Sequence, residues 1–324
     1  MQSTKPTIRR RRRRFWAIGA AALVAFSAVV YFGGAYVTAR ATVSAPNQGR
    51  KIEAPTQATD FGDLLSVSVG PPDARLVLCV LNPSPSLTAD GSAAGTILLL
   101  HGVRGNKSHM LGMGSQLASR GYRAVAVDLR GHGDSSGDWL TFGVQESRDL
   151  SQVLDFLAEQ GLLQGRVGIF GASYGGATAV MLAGRDYRVD AVVCVAGFSA
   201  FRDVLPSYVR RYLRLGPLLT DMWIETVTRQ AGRIAGFDPS DASPMKAITQ
   251  SQAQLLLIHG LCDEHIPSSH SELVYQAAPS HSRLVLIPGE DHETIMADRS
   301  GIMTRETLAW FDRWLNTPQG DEPP

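Results

Sequence analysis

The stretch Val167-Gly168-Ile169-Phe170-Gly171-Ala172-Ser173-Tyr174-Gly175-Gly176 decides how the chain reads. An apolar run enters it and the helix-forming run 177–183 leaves it, so the pattern is strand, sharp turn, helix, with Ser173 at the apex. In a G-x-S-x-G turn the serine backbone is strained, and the positions two residues either side must lack bulk. Gly171 and Gly175 meet that need, and Gly176 lets the helix lie close to the sheet. The turn lifts the Ser173 hydroxyl above the sheet edge at a helix N-terminus, where developing negative charge is favoured. Ser173 is therefore a candidate nucleophile. Glycine-rich turns with an ordinary serine share this pattern, so the context has to decide.

Working outward, residues 60–70 and 74–82 read as a hairpin-like pair of strands, and 96–100 is a short continuous apolar run of the kind buried on both faces of a parallel sheet. A helix is expected from about Met110 to Arg120, a strand over 122–127, and a helix over 145–159 with Leu150, Val153, Leu154 and Leu157 on one face. Strands follow at 189–195, 254–259 and 283–287, and a helix over 302–315 closes the chain. Strands alternating with helices predict an α/β fold with one doubly wound, mostly parallel sheet and an antiparallel start, over residues 60–317. The exception lies between Gly197 and Ser251. There, 208–215 and 218–235 read as amphipathic helices, which predicts a helical cap at 198–250 over the carboxyl edge of the sheet; an elongated crossover is the alternative.

Composition narrows the class. The chain has 324 residues, 44% hydrophobic and 19% charged, enough for a large core. Lys5 and Arg9 to Arg14 place seven positive charges in the first fourteen residues. Without those seven, the 31 basic residues fall to 24 against 30 acidic ones, so nothing suggests a nucleic-acid surface. Cys79, Cys194 and Cys262 form neither a disulfide framework nor a metal spacing.

Residues 15–37 carry no charge, with Phe15, Trp16, Tyr31, Phe32 and Tyr36 near the ends of the run. That suits one transmembrane signal anchor behind a basic cytoplasmic tail, 1–14, and the excess of arginine there predicts a cytoplasmic amino terminus with the globular domain on the extracytoplasmic side. A cleaved export signal is the alternative, and Arg12-Arg13-Arg14-Phe15 resembles a twin-arginine signal. Residues 38–59 read as a flexible linker and 318–324 as a disordered tail.

A serine needs a base to take its proton, and the base needs an acid to hold it. Later strand ends supply both. Gly260-Leu261-Cys262-Asp263-Glu264-His265-Ile266-Pro267 follows one strand and Pro288-Gly289-Glu290-Asp291-His292-Glu293 follows another, on the edge where ligands bind in open α/β sheets. With these residues in place, the chain resembles an α/β-hydrolase of the serine esterase, lipase and serine aminopeptidase type, in a membrane-anchored bacterial form, over about residues 75–317. The turn Asp128-Leu129-Arg130-Gly131-His132-Gly133-Asp134-Ser135 also matches that family's strand-end signature.

The resemblance implies a catalytic set of Ser173, Asp263 and His292, with Glu264 and His265 as rivals for the last two roles. It implies an oxyanion hole from the backbone N–H groups of Val103 and Tyr174, and loop-shaping roles for Gly171, Gly175, His101, Gly102, His132 and His259. Val103 departs from the His-Gly-Gly-Gly form of some lipases and esterases, and Arg104 beside it is a possible contact for an anionic substrate. The expected activity is hydrolysis of a carboxylic ester, thioester or lipid acyl bond through an acyl-enzyme, without metal or cofactor. The partners expected are a small-molecule or lipid acyl substrate and a membrane, with no nucleic acid; oligomeric state is unreadable. An aminopeptidase-like enzyme and a non-catalytic binding protein are the alternatives.

Overall fold

The structure is a computed structural model that describes residues 5–50, 62–84, 87, 92–213 and 220–316. After helix α1 (Lys5–Val43), strands β1 (Asp63–Val69) and β2 (Ala74–Leu81) pair antiparallel. The remaining strands are β3 (Gly95–Leu100), β4 (Arg123–Asp128), β5 (Arg166–Ala172), β6 (Val189–Val195), β7 (Gln254–Gly260) and β8 (Ser282–Ile287). All eight form one sheet in the order β1-β2-β4-β3-β5-β6-β7-β8, and from β4 onward every pairing is parallel. Helices α2 (Leu111–Ala118), α3 (Val144–Glu159), α4 (Tyr174–Ala183) and α10 (Ile302–Leu315) cover the faces. Alternate strand residues feed opposite layers. Leu98, Leu100, Leu255 and Leu257 pack on one side, while Ile97, Leu99, Leu256 and Ile258 pack on the other.

Among the described residues, the chain from β6 to β7 carries three helices, α5 (Phe201–Leu213), α6 (Asp221–Ala235) and α7 (Pro244–Ile248). Helix α5 begins seven residues before the amphipathic pattern suggested, with Pro206 inside it. Its first turns present Phe201, Val204, Leu205 and Tyr208 to the core, and that burial outweighs one missing backbone donor. Phe142 is the hub of this junction. Its ring lies 4.2 Å from Phe201, 5.6 Å from Tyr174 at the start of α4, and 5.8 Å from Tyr208. The aromatic cluster thus fixes the cap to the helix that begins at Ser173. Two further helices, α8 (Ser269–Ala277) and α9 (Thr294–Ala297), had no counterpart in the sequence reading.

The linker expected at 38–59 is corrected as far as Arg50. Helix α1 continues six residues beyond Val37, because one of its faces meets the globular domain: Ala35, Thr38, Ala39 and Val43 are buried at helical spacing, and Tyr31 Oη lies 3.3 Å from Thr226 Oγ1 on α6. Beyond it, Ala45 N–H donates to the Asp138 carbonyl at 3.0 Å and Asn47 N–H to that of Gly131 at 3.0 Å. The remainder of the expected linker, 51–59, and the expected tail at 318–324 lie outside the described residues. Part of α1, Arg13–Val43, is long and apolar enough to cross a membrane.

Phe142 is 1% exposed, so Phe142→Ala leaves a cavity between cap and sheet. The expected loss of unfolding free energy is about 3–5 kcal/mol in urea titration; a change below about 1 kcal/mol would mean that the junction is not fixed by this ring.

Candidate active site

Ser173 stands between β5 and α4 with φ 52° and ψ −114°, a strained conformation for a residue with a side chain. Its neighbours make the turn possible. A methyl group on Gly171 would strike the Gly175 carbonyl, and one on Gly175 would strike the Leu100 carbonyl. The Ser173 N–H donates to the Val195 carbonyl at 2.7 Å, which ties the turn to the end of β6.

The loops after β7 and β8 run side by side at the same edge. Leu261 N–H donates to the Ile287 carbonyl at 3.0 Å and Cys262 N–H to that of Glu290 at 2.9 Å, so the acidic loop and the histidine loop are joined through their backbones. Asp291 then frames the residue beyond it: its Oδ1 accepts the N–H groups of Glu293 (2.9 Å) and Thr294 (2.8 Å), and its own N–H donates to Thr294 Oγ1 at 2.8 Å. His292 projects from this turn. Its Nε2 lies 3.0 Å from Ser173 Oγ and its Nδ1 lies 2.6 Å from Asp263 Oδ2. The three residues singled out in the sequence therefore lie in one hydrogen-bonded row.

Asp263 is buried, which opposes ionisation. Hydrogen bonds from His259 and His292, the charge of His292 and the Ile266 N–H outweigh that and hold the carboxyl well below the usual range. The Oδ1 atom accepts the N–H groups of His265 (2.9 Å) and Ile266 (2.8 Å). The rival residues fall elsewhere. The ring of His265 packs edge-on against His292 with centroids 4.5 Å apart, and it lines the cleft rather than bonding to Ser173. His259 was read as loop-shaping, and its part is more specific. Its Nε2 meets two acceptors, the Ile266 carbonyl at 2.7 Å and Asp263 Oδ2 at 3.3 Å, while Nδ1 faces Ser271 Oγ at 2.7 Å. Since both partners of Nε2 are acceptors, the proton sits there, and the imidazole acts as a second clamp on the carboxylate. No local motif marks such a clamp; the i, i+4 spacing from His259 to Asp263 is its one signal.

His101 holds the loop after β3. Its Nε2 accepts the Leu129 N–H at 3.1 Å, which leaves Nδ1 to donate to the Gly102 carbonyl at 2.8 Å. Burial, aided by the neighbouring His132, lowers its pKa to about 3, so it stays neutral in ordinary buffers. The loop then turns through Val103 and Arg104, closed by Gly105 N–H to the Gly102 carbonyl at 2.9 Å. Gly102 and Val103 face Ser173 across a cleft of about 390 Å³ that also touches Met110, Ala196, Met296 and Glu293. Tyr174 begins α4, whose first N–H groups lack intrahelical acceptors. Arg104 stands beside Val103 but outside the lining of this cleft. It lines a neighbouring cavity, and Val103 is the residue common to both spaces.

A mostly parallel eight-stranded sheet with a serine turn after β5 and these two loops defines an α/β-hydrolase. The Pyrococcus furiosus esterase Pf2001 shares the fold, with TM-score 0.60 and 18% identity over 82% of this chain and 100% of that one. More narrowly, residues 112–318 match the prolyl oligopeptidase family, and the chain belongs to it; it is a serine hydrolase. Among curated proteins it is 28% identical to the uncharacterized protein YqkD of Bacillus subtilis, over 61% of this chain and 64% of that protein. It is 25% identical to dipeptidyl-peptidase 5 of Porphyromonas gingivalis, over 80% of this chain and 37% of that one. The chain thus spans less than two thirds of either relative.

The buried neutral histidines carry a pH signature. His101, His132 and His270 all have pKa values lowered first by burial. The unfolded chain binds protons near pH 6.5 that the folded chain refuses, so their contribution is fully present above about pH 6.5 and is lost as pH falls toward the folded values. Urea unfolding at stepped pH should show proton uptake on unfolding between pH 6 and 4, with about one proton fewer in His101→Asn. Equal uptake by both proteins would mean that His101 is not held neutral by the fold.

Proposed function

We propose that the protein hydrolyses carboxylic esters through an acyl-enzyme on Ser173. The observation that carries this reading is the row Asp263–His292–Ser173, with heavy-atom separations of 2.6 and 3.0 Å. His292 takes the hydroxyl proton as Ser173 Oγ attacks the carbonyl carbon, then gives it to the leaving alkoxide as the carbonyl re-forms. Water then attacks the acyl carbon as His292 takes its proton; the bond to Ser173 Oγ breaks, the acid leaves, and His292 returns the proton to Ser173. Asp263, clamped by His259, orients the imidazole and stabilises its charged form. The backbone N–H groups of Val103 and Tyr174 receive the oxyanion, with the N-terminal end of α4 behind them. Esters are read as the substrates because Val103, Met110, Ala196 and Met296 give the cleft an aliphatic side for an acyl chain, beside its histidines and Glu293.

An aminopeptidase-like activity is the second reading. It is favoured by Glu293, the carboxylate on the rim of the cleft, which suits a substrate amino group, and by the peptidase relative. Helix α1 is read as a retained anchor with its amino terminus in the cytoplasm and the hydrolase domain outside. The arginine run at the start of α1 supports that orientation, and the burial of Ala35, Ala39 and Val43 supports retention, since cleavage near Ala39 would strip a packed face from the domain.

A fluorophosphonate probe applied to the full chain should label the wild type and leave Ser173→Ala unlabelled. His292→Ala should lower kcat for p-nitrophenyl acetate by about 10⁴-fold. Preference for an aminoacyl p-nitroanilide over p-nitrophenyl acetate in kcat/KM would replace the ester reading with the peptidase one. Labelling that persists in Ser173→Ala would remove the assignment of the nucleophile.

A further inference from the structure

A second cavity, of about 470 Å³, lies behind the oxyanion loop, within the range of about 300–1,000 Å³ usual for small-molecule sites. Four parts of the chain that are distant in sequence build it, one of them Leu140 in the loop after β4. Ala41, Thr42 and Ala45 come from the end of α1 and the turn after it; Val103 and Arg104 come from the loop after β3; Tyr208 comes from α5. The partition between this cavity and the Ser173 cleft is thin. Val103 lines both, and the Tyr208 ring packs 5.5 Å from His265, which lines the cleft.

The position of this cavity along α1 bears on what enters it. At 1.5 Å per residue, the twenty residues from Phe15 to Gly34 span about 30 Å, the depth of a bilayer's hydrocarbon core. Tyr31, which meets Thr226 on α6, then sits just inside the outer edge of that core, where tyrosine is favoured. Ala41 stands seven residues beyond Gly34, about 10 Å further on, just outside the headgroup layer, which adds about 5–7 Å on each side. Met222 on α6 is exposed on the same side of the molecule as this contact, four residues before Thr226 and so about one helical turn away. The cavity therefore has one wall on the part of α1 that emerges from the bilayer and shares Val103 with the cleft of Ser173.

We propose that this cavity receives the aliphatic chain of a lipid-derived ester that enters from the bilayer along α1, while its carbonyl crosses Val103 to Ser173. Its wall is mostly alkyl and ring surface, from Ala41, Ala45, Val103, Leu140, Tyr208 and Val209. Such a surface suits a hydrocarbon chain, which requires no hydrogen-bond partners, better than an extended peptide, whose backbone groups require them. The inference rests on Ser173 as the nucleophile and on α1 as a membrane helix, and it extends that reading to a substrate class.

The test uses the full chain in phosphatidylcholine nanodiscs and two fluorophosphonates, one with an ethyl and one with a dodecyl chain. The readout is the ratio of their labelling rates at Ser173. Partition into the disc is common to all variants and cancels between them. Ala41→Trp and Thr42→Phe, which fill the cavity from two sides, should each lower the dodecyl-to-ethyl ratio at least about tenfold. Leu273→Ser, on the exposed face of α8, should keep the wild-type ratio. An unchanged ratio in both cavity variants would overturn the proposal, as would equal slowing of both probes. If neither probe labels the wild type, the nucleophile reading fails, and binding of a fluorescent undecanoate then decides the cavity by itself. Binding that Ala41→Trp abolishes would uphold the cavity, and no binding to the wild type would overturn it.

Discussion

The backbone of Ser173, at φ 52° and ψ −114°, is the constraint to which the surrounding structure answers. A conformation of this kind costs about 1–3 kcal/mol and persists only where its surroundings over-determine it. Here β5 fixes one side of the turn and α4 the other. Every residue of α4 is buried, and Gly176 brings the helix so near the sheet that a methyl group there would meet Cys194 Sγ at 2.9 Å. Tyr174 reinforces the helix start by donating its hydroxyl to the buried Glu146 at 2.7 Å, and Phe142 packs on its ring. Burial, then the charge of Glu146 and the hydrogen bond to it, push the Tyr174 phenol far up, so it remains a donor. The strain is thus held by packing and hydrogen bonds from three elements, and the serine hydroxyl has little freedom to leave the line to His292.

Two kinds of histidine share this edge of the sheet. His292 is partly exposed and faces both a carboxylate and a hydroxyl, the situation of a group that exchanges protons. His101 and His259 are fully buried, each with both ring nitrogens engaged, and they serve as rigid brackets. Asp263 lies between the two kinds, bound on one oxygen by two backbone N–H groups and on the other by two imidazoles. Four donors on one carboxylate keep it charged and immobile, which is what a partner for a transiently positive imidazole requires.

The sheet and the site were legible to different depths. Buried parallel strands announce themselves as continuous apolar runs, and the strand positions from β3 to β8 follow those runs to within a residue or two. The loops with Asp263 and His292 were legible because each follows such a run directly, so chain order alone brings them to one edge. The cap was harder. Pro206 interrupts the helical pattern of α5, and only the aromatic cluster around Phe142 accounts for the turns before it. The end of α1 was not legible at all. Thr38, Thr42 and Val43 are β-branched and carry little helical signal, yet Thr38, Ala39 and Val43 form a buried face of the helix, which packs on α6. Packing against a partner that lies almost two hundred residues away decides their structure, and a local window contains none of it.

That packing also changes how the domain relates to α1. Had 38–59 been a free tether throughout, the catalytic edge would face any direction. Instead α1 passes into a strap whose Asn47 side chain donates to the carbonyls of Gly133 (2.8 Å) and Ser135 (3.0 Å), and whose Val43 carbonyl accepts the Leu140 N–H at 2.8 Å. The strap therefore grips the loop after β4. In turn, Leu129 of that loop donates to His101 Nε2, and His101 holds Gly102, next to Val103. Hydrogen bonds through the loop after β4 thus connect the apolar helix to the loop after β3. The orientation of α1 relative to the cleft is accordingly set by these contacts and not by a free tether.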